Sequence, residues 1–248
     1  MFEMKGNAMS NMIPNEFVRV DPPAEADGWA GFDALYRLTN FAFDVLIEQG
    51  RLIVNRREEC FSECRFDVPE GSIIGISEGE FGGWLSLEQN EDVSKKPLLE
   101  NEKDVLQKRG TYYPLPIVSI FEFEGMLLCL TGLNHMGYSH GSLLVITDYL
   151  SGEVSTCDLL HFEDAPDAYT VYQGKIYIAA AQSLLVVSQD FSFRHLFKDS
   201  FWLGLYPKSI VVLDEENIFL GIEGGIIRLN TATEEYELFI HESLLKKY

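Results

Sequence analysis

Along most of its length the chain alternates short apolar runs with turn-forming clusters, and VYQGKIYIAAAQSLLVVSQDFSFRHLF shows the unit of the pattern. An apolar run ends in a Gly turn, a second and a third follow, and a shorter run comes last in which polar and apolar residues alternate. Val, Ile, Phe, Tyr and Leu crowd these runs, Gly, Asn, Asp and Pro bound them, and no long segment keeps a 3.6-residue apolar period, so the runs predict strands. Short helices are expected only over 30–38, in the polar stretch near 90–110, and in HESLLKKY at the end.

The unit recurs in IFEFEGMLLCLTGLNHMGYSHGSLLVITDYLSGEVSTCDLL and in LDEENIFLGIEGGIIRLNTATEEYELF. Equivalent turns fall at Gly125, Gly174 and Asn217, and the steps from 125 to 174 and from 174 to 217 are 49 and 43 residues. A fourth copy begins at Gly71, its last strand obscured by the polar stretch, and FAFDVLIEQGRLIVNRREE supplies one further strand pair. Steps of this length match a propeller blade.

Over 41–240 the pattern resembles β-propeller repeats, without the signature of any one family. The Trp-Asp dipeptide is absent, since Trp29, Trp84 and Trp202 are followed by Ala, Leu and Leu, and Gly-Gly pairs occur only at 82–83 and 224–225. The resemblance implies an all-β fold, a β-propeller of four or five antiparallel blades. A β-sandwich is the alternative that short, regularly spaced strands also suit. Residues 1–40 read as an N-terminal tail and lead-in, and 41–248 as a single domain with a polar insertion near 90–110.

Charge narrows the partners. Nineteen Lys and Arg against thirty-nine Asp and Glu give a formal net charge of -20, which repels a phosphate backbone or an anionic membrane and suits a basic protein. Four cysteines do not make a disulfide framework in a chain this long, and Cys129 and Cys157 lie in apolar runs as small core residues would. With no secretory apolar stretch and no run of about 20 apolar residues, a cytoplasmic protein is expected.

Candidate chemistry is sparse. Gly137-Tyr138-Ser139-His140-Gly141 satisfies G-x-S-x-G, but the hydrolase elbow requires a helix after the serine, and here the strand-like SLLVITDY follows, so a hairpin tip is expected. His135 and His140 share that loop and His161 follows later, without the closed ligand set zinc favours. Cys60-x-x-x-Cys64 has no second cysteine pair. Adjacent carboxylates such as Glu234-Glu235 point to opposite faces of a strand and do not form an acid and base pair. No catalytic residue, metal site or cofactor is therefore assigned.

Antiparallel order brings the loops after each second and fourth strand to one face. That face would collect Phe81, Tyr112, Tyr113, Tyr138, Phe162, Trp202 and Tyr206 beside Glu78, Glu80, Glu163, Asp164 and Asp167, with Trp84 in the core. Aromatics and carboxylates together describe a platform for a basic protein, with Glu78, Glu80, Phe81, Tyr138, His140, Asp164, Asp167, Trp202 and Tyr206 as contact candidates. One version of such a partner is a cationic toxin, with this chain as a bacterial immunity protein. The competing class is a propeller enzyme or small-ligand binder, acting by glycoside or metal-assisted hydrolysis in the central channel.

Overall fold

The computed structural model describes residues 12–22, 41–57, 63–90, 111–150, 154–202 and 204–245. These form nineteen strands in five antiparallel sheets. In chain order, β1 is Phe17–Val20, and β2 (Ala42–Glu48) pairs with β3 (Arg51–Arg57). A first four-stranded meander contains β4 (Glu63–Val68), β5 (Gly71–Ser77), β6 (Gly83–Gln89) and β7 (Thr111–Tyr113). A second contains β8 (Ile117–Phe123), β9 (Met126–His135), β10 (Tyr138–Asp148) and β11 (Ser155–Phe162). A third contains β12 (Pro166–Tyr172), β13 (Lys175–Ala180), β14 (Leu184–Val187) and β15 (Phe193–Phe197). The last contains β16 (Ser209–Val212), β17 (Asn217–Ile222), β18 (Gly225–Asn230) and β19 (Glu235–His241), and β1 joins it along β19 as a fifth strand. The helix α1 (Glu242–Leu245) follows.

Four of the hairpins close through two residues that both have positive φ: Gln49-Gly50, Glu124-Gly125, Met136-Gly137 and Gln173-Gly174. This is the type I′ turn, whose twist matches that of the flanking strands, and a glycine in second place adopts it without strain. The turn before β17 is built differently. Asp214 Oδ1 accepts from the backbone N–H groups of Glu216 and Asn217 and from the Asn217 side chain, which closes a local loop.

The chain divides into two compact units. Unit 1 holds 1–59, 167–188 and 192–248. Its last sheet is buried on both faces. Ile218, Leu220, Ile222, Ile227 and Leu229 pack against Tyr177, Ala179, Leu184 and Val186 of the third meander. The alternate residues Phe219, Ile226 and Phe239 pack against Phe43, Val45 and Leu52 of the β2–β3 pair and Phe17 of β1. All six residues of β17 are buried, so this strand reads as a continuous apolar run rather than an alternation. A two-layer sandwich leaves each sheet one solvated face; a middle sheet covered on both sides is a stack of meanders, the blade-type arrangement.

Unit 2 holds 60–166 and 189–191. Its two meanders share a core in which Ile73 and Leu85 meet Ile117, Ile120, Cys129, Leu144 and Ile146. Gly132 and Gly141 face each other across β9 and β10, and a Cβ on either would run into Pro166, so both positions exclude a side chain.

Several expectations change. Thr111–Tyr113, read as a connecting loop, is the fourth strand of its meander, resumed after the polar stretch. Phe17–Val20, inside the lead-in, is a paired strand. Trp84 is half-buried against Tyr112, with ring centroids 5.2 Å apart, and its neighbour Leu85 fills the core instead. Cys157 is exposed because β11 is the outer strand of its sheet. The expected helix over 30–38, Cys60 and most of the polar insertion lie outside the described residues. Among the described residues no helix is long and apolar enough to cross a membrane.

Candidate partner-binding surface

In unit 2, the β9–β10 hairpin outruns the rest of its sheet. Pairing with β8 ends at Thr131 and pairing with β11 ends at Gly141, whereas β9 and β10 pair on as far as His135 and Tyr138. The extension is braced on both flanks. On one side Ser139 Oγ donates to Asp164 Oδ1 at 2.6 Å and accepts from Ala165 N at 2.9 Å. On the other, His135 Nε2 lies 2.7 Å from Glu80 Oε2, in the 3-10 turn Gly79–Phe81 that joins β5 to β6. Tyr112 reaches the same turn, its hydroxyl donating to the Phe81 carbonyl at 3.2 Å.

Large apolar side chains stand out from this framework. Met136 is 87% exposed, Tyr138 72%, Phe81 70% and Tyr112 52%. Scattered exposed apolar residues are ordinary, but these four stand on two turns and the strands beside them, Phe81 with Tyr112 of β7 and Met136 with Tyr138 of β10, in elements tied together by His135–Glu80 and Tyr112–Phe81. Glu78, Glu80, His140 and Glu163 are exposed as well. Asp164 is buried, because its carboxylate holds Ser139 and the Ala165 N–H, and Phe162 is buried with it. Tyr113 is half-buried with its hydroxyl 3.0 Å from that of Thr156, and burial raises its phenol pKa.

In unit 1, Trp202 is a correction. It is fully buried, its indole N–H donating to the Ala180 carbonyl at 3.0 Å, with Phe197 and Phe201 beside it. An indole that reaches a carbonyl from inside the core satisfies its polar atom there, so the residue belongs to packing rather than to a contact surface. Asp167 and Tyr206 are half-buried. Tyr206 sits at φ 43, with Lys208 Nζ 5.3 Å from its ring and 3.1 Å from Glu223 Oε1.

The G-x-S-x-G serine sits just past a hairpin turn and hydrogen-bonds a carboxylate, with no helix after it. A second serine, Ser142, lies 2.9 Å from His161 Nδ1, but the two are cross-strand partners by register. His161 is largely exposed and Asp158 is 4.0 Å from its other nitrogen, too far to hold the ring as a base. Among the described residues no three His, Cys, Asp or Glu side chains are grouped to hold a metal ion.

The sequence points to Tyr138 and His140 in this hairpin as contacts and to His135 only as a metal ligand, while Met136 goes unmarked. The signal for Met136 was the Met-Gly pair itself, since the first position of a type I′ turn carries its side chain at the tip.

No protein-family model matches the sequence, and no curated protein sequence matches it. Among solved structures the chain is similar to the N-terminal domain of Nup159, with 11% identity over 76% of this chain and a TM-score of 0.29. The chain spans 57% of that domain.

Proposed function

We propose that this chain is a non-enzymatic binding module that holds a basic protein on the loop face of unit 2. The observation that carries the reading is the braced, exposed group of Phe81, Tyr112, Met136 and Tyr138. Aromatics supply hot-spot area at low entropic cost, and a backbone framework already braced by His135–Glu80 and Ser139–Asp164 loses little freedom on binding. The formal charge of -20 selects the partner's sign and speeds encounter. The finer reading is that the partner is a cationic toxin, masked as a bacterial immunity protein would mask it.

The test is affinity capture from the source cells with the wild-type chain and with F81A/Y138A, at about 50 and about 500 mM salt, where screening of exposed charges differs severalfold. A stoichiometric basic protein, retained by the wild type at low salt and lost from the variant, is the expected result. Equal capture by both chains, or an acidic partner, would sink the reading.

A further inference from the structure

We propose that Met136 is a reversible oxidation site of this chain, with peroxide as the oxidant, lying within the surface assigned above and resting on that assignment only for its consequence. Met136 is the most exposed large apolar side chain among the described residues. Its backbone is held at φ 48 in a two-residue turn, so the thioether is carried outward at the tip of a braced hairpin. The other described methionines differ: Met12 packs on the core around Phe17, and Met126 is half-buried where β9 begins. Thioether oxidation follows access to solvent.

In the reaction the sulfur lone pair attacks one peroxide oxygen, the O–O bond breaks, and the sulfoxide and one water result. Sulfur gives up two electrons and the peroxide takes them: hydroxide leaves as the O–O bond breaks and becomes water with the proton of the transferred oxygen, and a thiol-dependent methionine sulfoxide reductase returns the two electrons and restores the thioether. The product places a polar S=O where the surface offered an apolar tip, between His135 and Tyr138.

The test is a hydrogen peroxide time course on the full chain, followed by peptide mapping with fragmentation that separates Met136 from Met126. Met136 is expected to gain oxygen about tenfold faster than Met12 or Met126, in line with the dependence on exposure, and to lose it again on treatment with the reductases. Equal or faster oxidation at Met12 or Met126 overturns the proposal. Capture of the basic partner by oxidised and by repaired chain tests the surface separately: Met136 oxidised with capture unchanged leaves the oxidation site standing and counts against the surface.

Discussion

Ser139 and Asp164 form a latch, the serine hydroxyl donating to the carboxylate at 2.6 Å while accepting the Ala165 N–H at 2.9 Å. This gives the one motif-like serine a structural task. Ser139→Ala removes one donor from a carboxylate that is 7% exposed and keeps the Ala165 N–H, and a lost hydrogen bond to a charged group costs about 1.5–3 kcal/mol. Urea denaturation should show a lower midpoint with an unchanged slope. Ser139→Thr, which keeps the hydroxyl, should recover part of the loss.

Trp202 yields a prediction of opposite kind from the one its sequence context invites. Trp202→Ala opens a cavity in the core of unit 1 and should destabilise by about 3–5 kcal/mol, read by circular dichroism in denaturant. Trp202→Phe keeps most of the volume but strands the Ala180 carbonyl, for about 1–3 kcal/mol.

What the sequence made legible was whatever short-range chemistry decides. The Gly turns, the apolar runs of β13, β14 and β17, and the hairpin at Gly137 all follow from local φ requirements and from strands covered on both faces. Features set by distant partners stayed hidden. The strand FVRV of β1 becomes a strand only because β19 offers an edge more than two hundred residues away, and β7 is cut from its meander by the polar stretch before it. Likewise nothing within FWLGLYP says whether Trp202 faces solvent or the Ala180 carbonyl.

The cysteines titrate in a way that can be read as stability. Burial raises the Cys64 thiol from 9.0 to about 11, and burial, helped by Cys64, pushes Cys129 up as well. The fold therefore resists ionising both groups. Their contribution is fully present below pH 9, where unfolded thiols are protonated, and is lost as pH rises from 9 towards 11, where the unfolded chain releases protons that the folded one keeps. Denaturant midpoints should fall across that interval, and the fall should shrink in Cys64→Ser. At neutral pH iodoacetamide should label exposed Cys157 well ahead of Cys64 and Cys129.

Phe81 and Tyr138 separate stability from recognition. Both side chains are more than two-thirds exposed, and neither ring fills the unit 2 core, so truncating them removes little buried area. F81A and Y138A should each change unfolding free energy by no more than about 0.5 kcal/mol, the usual range for surface positions. If the surface binds as proposed, each should still weaken the complex by about 1–4 kcal/mol, because an aromatic anchor at an interface is desolvated only when the partner arrives. Calorimetric titration of the captured partner against both variants, beside their denaturation curves, checks the two halves together. Unchanged affinity with unchanged stability would mean that these aromatics are ordinary exposed surface.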